Sequence, residues 1–476
     1  MNVLFAASEL APYVKTGGLG DVLGALPEAL RERGHSVSVA APLYAGLRET
    51  LPNLTRSKVA LKVPFGGRDL PGRVWVGTTE TGVRVFALER DEFFDRRHLY
   101  GSSEAEYFDN AARFGWFSRA VTRLVRFVDP LPEILHLNDW QTGLAAVWAR
   151  EMVRGPRVVF TIHNLAYQGV FAREEAEALG VGAHHFSPDG IEFYGRVNFL
   201  KAGIVYAHQV TTVSPSYARA IQTPEFGCGL DGVLRQVSGC LTGILNGIDT
   251  TVWNPEDNPR LAGHFSVKSL QGKKVCKQDL LRACGWTNRP EAPIFGCVSR
   301  LVGAKGFDLI LAAAPLLRER GARLVVLGTG EPRLEEAFRD LAERYPEDVA
   351  VRIEFSEAWA HRIEAGADFF LMPSEMEPCG LNQMYSQRYG TPPIVHGAGG
   401  LADSVEPWDP ETGKGTGFVF KPFQTGAFHA EIERALSVFE RPIELKRLRK
   451  NAMNQDYSWE ARVPEYEAVY ARALRD

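Results

Sequence analysis

A basic surplus is absent from this sequence. Its 54 lysines and arginines are outnumbered by 58 aspartates and glutamates, giving a formal net charge of −4, and no basic block interrupts the mixture. A nucleic-acid-binding surface would show one or the other. Cysteine is scarce, with six residues at 228, 240, 276, 284, 297 and 379 and no CxxC pair. That excludes zinc-ribbon and thioredoxin-type readings and favours free thiols in a reducing compartment. No apolar run approaches the roughly 20 residues that cross a bilayer. The apolar start Met1–Ala7 is too short for a signal peptide and lacks its basic flank. The expectation is a cytoplasmic protein without membrane contact. Internal repeats and low-complexity tracts are missing as well.

Common cofactor signatures are also lacking. Gly17-Gly18 and Gly399-Gly400 neither end in Gly-Lys-Ser/Thr nor form a dinucleotide fingerprint. The sequence shows no DxD-type carboxylate cluster, no His/Cys ligand set and no Schiff-base lysine motif for pyridoxal phosphate. No metal and no cofactor are expected.

What is present is ordinary globular material, 45% hydrophobic and 24% charged. Short apolar runs alternate with amphipathic stretches: strand-like Asn2–Ala7, helix-like Val22–Arg33, strand-like Ser36–Ala41, then strands at Ile134–Leu137, Val158–Ile162 and Gln209–Val213. This rhythm predicts an α/β protein with parallel sheets and crossover helices. Residues 55–90 read instead as a β-rich excursion at one edge. The pattern restarts with a strand at Ile294–Val298, a helix at Phe307–Arg320, and strands at Arg323–Leu327, Val351–Phe355, Phe369–Met372 and Pro393–His396. The turn dipeptide Asn246-Gly247 and a polar stretch over 254–274 separate the halves. We therefore expect a first domain over 1–245, a second over 246–455, and a closing helical segment over 456–476, its helix at Trp459–Leu474.

Ligands of open parallel sheets bind beyond the carboxyl ends of the strands. The loops there hold Lys15-Thr16-Gly17-Gly18, Asn138-Asp139-Trp140, His163-Asn164, Ser299-Arg300 with Lys305-Gly306, Glu375-Met376-Glu377-Pro378-Cys379-Gly380, and Gly397-Ala398-Gly399-Gly400. Each Gly-Gly pair precedes a helix, where free N–H groups and the dipole favour an anion; a plain tight turn is the alternative. Arg300 and Lys305 together would neutralise a departing diphosphate, against the alternative of two solvated surface charges. Asp21 reads best as a helix N-cap. It and Glu9 remain weak acceptor-side candidates. His136 reads as an interior histidine. Trp140, Tyr167 and Tyr100 are either sugar platforms or cleft walls. Cys379 lacks an adjacent histidine and reads as structural.

Taken in order, Lys15–Leu19, His136–Gly143, Ile162–Gly169, Asn246–Asp249, Ser299–Leu301 with Lys305-Gly306, and Glu377–Leu381 resemble bacterial glycogen synthase and plant starch synthase, glycosyltransferase family 5. The resemblance implies the GT-B fold: two Rossmann-like domains facing a central cleft, with a C-terminal helix returning to the first. It implies retaining transfer of glucose from ADP-glucose to the non-reducing 4-hydroxyl of an α-1,4-glucan such as glycogen, without metal. Carried over by motif, Arg300 and Lys305 bind the phosphates and Glu377 lies against the donor glucose beside Cys379, Gly380 and Leu381. His163 contacts the glucose 6-hydroxyl, Asp139 lies on the acceptor side, and Lys15, Gly17, Gly18 and Asn246 complete the donor contacts. Phe355 stacks on adenine. Related transferases carry a second glutamate eight residues after the first, where this chain has Tyr385, and the loop Val302-Gly303-Ala304 before Lys305 is smaller than usual. A UDP-glucose-dependent transferase of the same fold and a non-catalytic nucleotide-sugar or glucan-binding protein are the alternatives. Oligomeric state is not legible.

Overall fold

The computed structural model describes residues 1–101 and 105–475; Asp476, the end of the expected closing segment, lies outside them. The chain divides into two compact units. One comprises Met1–Gly247 and the chain from Trp459 onward, the other Ile248–Ser458.

The first unit is built on a nine-stranded sheet. Its strands are β1 (Asn2–Ala6), β2 (Ser36–Pro42), β3 (Thr55–Leu61), β4 (Gly72–Thr78), β5 (Arg84–Glu89), β6 (Ile134–Asn138), β7 (Arg157–Ile162), β8 (Gln209–Thr212) and β9 (Leu241–Gly243), in the order β9-β8-β7-β6-β1-β2-β5-β4-β3. All neighbours pair in parallel except β3–β4 and β4–β5, which are antiparallel. The β-rich stretch read at 55–90 is thus the antiparallel edge. β1, β6 and β7 are buried along nearly their whole length, as strands covered on both faces by crossover helices must be. Helices α1 (Gly18–Glu32), α2 (Trp140–Arg150) and α3 (Phe199–Tyr206) follow β1, β6 and β7 respectively.

The second unit carries a six-stranded parallel sheet. Its strands are β10 (Ile294–Val298), β11 (Arg323–Leu327), β12 (Val349–Arg352), β13 (Phe369–Met372), β14 (Pro393–His396) and β15 (Phe418–Phe420), ordered β12-β11-β10-β13-β14-β15. Alternate residues feed two cores: Phe295, Cys297, Leu324 and Val326 enter one, Ile294, Val325 and Leu327 the other. Helices α4 (Phe307–Glu319), α5 (Glu357–Gly366), α6 (Asn382–Arg388) and α7 (Gly400–Ser404) connect these strands. A helix at Gln271–Ala283 begins at the end of the polar stretch that separates the halves and runs on past it.

The last helix, α8 (Trp459–Arg475), buries Trp459, Val463, Tyr466, Val469, Tyr470 and Ala473, one helical stripe. It belongs to the first unit. Tyr470 Oη meets His136 Nδ1 at 2.8 Å, and Glu467 accepts from Arg33 and meets His35 Nε2 at 2.9 Å. Thr161 Oγ1 meets the other nitrogen of His136 at 2.6 Å. Burial holds this imidazole at about 3, so it is a satisfied, neutral interior histidine.

Asp368 ties the second unit together ahead of β13. Its buried carboxylate accepts from Lys277 Nζ and Arg449 Nη2, each at 2.7 Å, and from the Ile294 backbone N–H at 3.0 Å. Burial alone would raise its pKa, but the two cations hold it below the usual carboxylate value. Asp368→Ala leaves both cations buried without their partner and should lower unfolding free energy by about 3–5 kcal/mol, measured by urea denaturation. Because the folded pKa is depressed, the parent's extra stability is complete above the unfolded carboxyl value and is lost as pH falls through the folded one. The gap between parent and variant should therefore close in acid, and a gap independent of pH would refute the account.

Candidate active site

In the first unit β1, β6 and β7 are adjacent and parallel, so their carboxyl ends share one edge. Beyond β1 stands Glu9, buried, with four donors. Its carboxylate accepts from the Thr16 N–H at 2.7 Å, the Gly17 N–H at 3.2 Å, Thr16 Oγ1 at 2.7 Å and Tyr100 Oη at 2.7 Å. The Tyr100 hydroxyl also meets Ser8 Oγ at 2.8 Å. Glu9 therefore shapes the Lys15–Gly18 loop from beneath, a role its sequence position did not reveal, and Tyr100 serves as its partner. Lys15 Nζ pairs with Asp21 Oδ1 at 2.7 Å. Asp21 is not the N-cap it was read to be. Gly17 holds that place and Asp21 lies in the first turn of α1, where a carboxylate suits the helix dipole.

Asp139 follows β6 at φ 55°, ψ −178°, a conformation that is nearly glycine-only. Its carboxylate accepts from the His163 N–H at 2.8 Å. Burial pushes the carboxyl up to about 7, against the opposing pull of the His163 and Asn164 backbone donors. His163 follows β7. Its Nε2 meets Asn138 Oδ1 at 3.0 Å, while Asn138 Nδ2 donates to the Ala6 carbonyl. That orientation makes Nε2 the donor and leaves Nδ1 an acceptor. Burial lowers the imidazole to about 3, so it is neutral at physiological pH. Asn246 is buried, and its Oδ1 has no hydrogen-bond partner among the described residues. Trp140 is core, packed edge-on against Phe114; Tyr167 keeps 51% of its surface exposed.

In the second unit β10, β13 and β14 are likewise adjacent and parallel. Arg300 is exposed after β10 and makes no ion pair among the described residues. A short turn over Gly303–Lys305 then brings Lys305 Nζ to Glu377 Oε2 at 2.5 Å, so the small preceding loop does not limit its reach. Ser374 Oγ donates to the same carboxylate oxygen at 3.1 Å. The Glu377 loop is held by close backbone contact. A Cβ at Gly306 would lie 2.0 Å from the Pro373 carbonyl oxygen, and one at Gly399, where φ is 56°, would lie 2.0 Å from that of Glu377. The Gly400 N–H donates to the Glu377 carbonyl at 2.8 Å. That amide, read as part of a phosphate loop, is therefore already taken, and α7 behind it has only five residues.

Beyond Glu377, Cys379 is buried and Gly380 adopts φ 73°. Leu381 heads α6, whose first residue, Asn382, donates through Nδ2 to the Val298 carbonyl of β10. Tyr385 stacks on Trp253 with ring centroids 3.8 Å apart. The strand read at Val351–Phe355 is β12, which ends at Arg352, leaving Phe355 in the loop before α5 and 89% exposed. One further correction concerns ligand sets. Glu151, His184 and His185, too far apart in sequence to be noticed, have donor atoms within 4.8 Å of one another.

Residues 2–236 match the family model described as starch synthase catalytic domain, and residues 286–455 match glycosyl transferases group 1. Glycogen synthase of Myxococcus xanthus (strain DK1622) is 47% identical over 479 residues, and that of Anaeromyxobacter sp. (strain Fw109-5) 46% identical over 477. Each alignment covers 99% of both chains. Among solved structures, the catalytic domain of starch synthase IV from Arabidopsis thaliana bound to ADP and acarbose superposes with a TM-score of 0.92 at 34% identity, covering 100% of this chain and 99% of that one. Sucrose-phosphate synthase from Thermosynechococcus elongatus shares the fold, with a TM-score of 0.63 at 17% identity and coverage of 100% and 99%.

Two glycines separate steric need from openness. Gly399→Ala must displace the Glu377 carbonyl and strain a positive φ, and should destabilise the protein by at least about 1–3 kcal/mol. Gly17 has an extended backbone, and a Cβ there meets nothing within 4 Å. Gly17→Ala should therefore cost only what a poorer helix N-cap costs, about 0.5–1 kcal/mol. Chemical denaturation of both variants checks the pair; equal losses would contradict it.

Proposed function

The chain belongs to the glycogen and starch synthase family of GT-B glycosyltransferases, and on that premise we propose that it transfers glucose from ADP-glucose to the non-reducing 4-hydroxyl of an α-1,4-glucan. In this reading the configuration at the anomeric carbon is retained, ADP is released, and the reaction extends glycogen in the cytoplasm. The observation that carries the proposal is the Lys305–Glu377 pair at the strand ends of the second unit, on the loop that leaves β10 through Arg300. It joins a carboxylate suited to glucose hydroxyls with cations suited to a diphosphate.

Arg300 and Lys305 take the phosphates and stabilise the charge that grows as the diphosphate leaves. The lysine's three N–H donors let it face Glu377 and a phosphate oxygen together. Glu377 accepts from the donor glucose and offsets the positive charge of an oxocarbenium-like transition state. Cys379, Gly380 and Leu381 lie along that sugar's path. Position 385 supplies a stacked tyrosine rather than a second carboxylate, which favours a same-face reaction in which the departing phosphate takes the acceptor's proton. Lys15 and the Gly17-Gly18 helix entry, whose Gly17 amide is already held by Glu9, meet the donor. The unpartnered Oδ1 of Asn246 accepts from a sugar hydroxyl, and neutral His163 offers its acceptor nitrogen to the 6-hydroxyl. The exposed ring of Phe355 stacks on adenine. Asp139 serves the acceptor side. Gly399 supports the Glu377 loop from behind, with Gly400 hydrogen-bonded to it.

With labelled donors and glycogen, ADP-glucose should label polymer faster than UDP-glucose, and labelling should persist in EDTA. Clear preference for UDP-glucose, or abolition by EDTA, would overturn the donor assignment.

Glu377 is tested by two variants. If its charge acts in the transition state, Glu377→Gln and Glu377→Ala both lose turnover by about 10²–10³-fold while ADP binding by calorimetry is retained. If Glu377→Gln keeps most turnover and Glu377→Ala mainly raises KM, the residue only positions the sugar.

A further inference from the structure

Away from these strand ends, the first unit gathers three side chains of another chemistry. Glu151 caps the C-terminal end of α2. His184 and His185 lie on a short 3-10 turn, Ala183–His185. The ligand atoms of all three lie within 4.8 Å of one another, and His185 Nε2 and Glu151 Oε1 already stand at 3.0 Å. We propose that Glu151, His184 and His185 form a binding site for one divalent transition-metal ion of the zinc class, separate from the transfer chemistry.

Donor type and support both fit. Two imidazole nitrogens and one carboxylate oxygen are a common zinc set that leaves a fourth position for water. With ligand bonds of about 2.1 Å, tetrahedral donors stand about 3.4 Å apart. The present spacing therefore closes by rotation of the two exposed side chains, Glu151 and His184, against a fixed His185. His185 is fixed because it is buried and its Nδ1 meets Tyr206 Oη at 2.6 Å. That contact lets Nδ1–H donate outward and presents Nε2 as the ligand, the outer-shell arrangement typical of metal-bound histidine. The His184 ring lies beside that of His185, with centroids 3.9 Å apart, and sits where a Cβ at Gly182 would be. Glu151 and Tyr206 both stand at helix C-termini, of α2 and α3, where outward carbonyls favour a cation. On binding, the ion occupies the space between His185 Nε2 and Glu151 Oε1, and the neutral imidazole carries its single proton on Nδ1, toward Tyr206.

The site is remote from the strand-end residues. Asp139 and Glu151 cap opposite ends of α2, and eleven helical residues span about 16 Å. It is therefore a structural or sensing site that ties the Ala183–His185 turn to α2, not a Lewis acid for the sugar.

The test uses the full chain without a polyhistidine tag, stripped with chelator and titrated with zinc chloride by calorimetry, with cobalt(II) absorption as a second readout. The parent should bind one zinc ion per chain and give the visible bands of tetrahedral cobalt. His184→Ala and Glu151→Gln, both exposed and harmless to folding, should each weaken zinc binding at least about 10-fold, and Tyr206→Phe by about 10-fold through the outer shell. Cys228→Ser, which removes the exposed thiol, should bind like the parent. No uptake by the parent, unchanged affinity in His184→Ala and Glu151→Gln, or loss of binding in Cys228→Ser would each overturn the assignment.

Discussion

Everything proposed for the second unit depends on backbone approaching backbone more closely than any side chain permits. Gly306 and Gly399 each pass a carbonyl of the Pro373–Cys379 segment at a distance that excludes a Cβ, and Gly400 donates to the same segment. The Glu375 N–H adds a bond to the Ala304 carbonyl at 3.0 Å. A loop fixed by its main chain at several points keeps its carboxylate in one place, which a loop held by side chains alone would not. Lys305, carried on the turn that ends at Gly306, inherits that precision, and the ammonium–carboxylate pair follows from it.

The first unit reaches the same end differently. Its glycine-rich loop is organised by an anion belonging to the protein, the Glu9 carboxylate, which satisfies the amides of Thr16 and Gly17 and the Thr16 hydroxyl. Two amides that a phosphate could have used are thereby occupied, and Lys15 and the helix entry at Gly18 remain facing outward. The strained backbone at Asp139 is the third device, since it turns the carboxylate back onto the His163 amide. In both units the polar groups sit at the ends of three adjacent parallel strands, so sheet order decides which residues can act together.

Strand position was legible where the sequence is continuously apolar. β1, β10, β11, β13 and β14 lie where their buried runs predict; that rhythm gives parallel α/β units, and the GT-B architecture is what the family motifs imply. Edges were harder. β9 and β15 have three residues each, too few to show a period. β12 was displaced because Val351, Ile353 and Phe355 alternate like a strand although the ladder ends at Arg352. The helix Gln271–Ala283 was not seen because its sequence is mostly polar and its start falls in the polar stretch between the halves. For the site, strand-end position pointed to the candidate loops but not to the hydrogen-bond partners of their residues. Glu9 bonds mainly to main-chain amides and a distant tyrosine, and Glu151 meets histidines 33 and 34 positions away. No spacing rule encodes such contacts.

The first unit is interrupted in sequence, and its last helix is made only after the whole of the second unit. His136, central in the sheet, finds the Tyr470 hydroxyl only when α8 arrives, and Arg33 and His35 wait equally long for Glu467. The second unit is contiguous from Ile248 to Ser458, and all its strands and their cores are available earlier. A ribosome therefore releases a finished inner unit while the outer one still lacks its closing face, exposing the apolar surface that Tyr466 and Val469 will cover. Domains emerging from the ribosome generally fold as units, the N-terminal one first. In this chain the order of completion is reversed, and loss of α8 damages the half that was begun first.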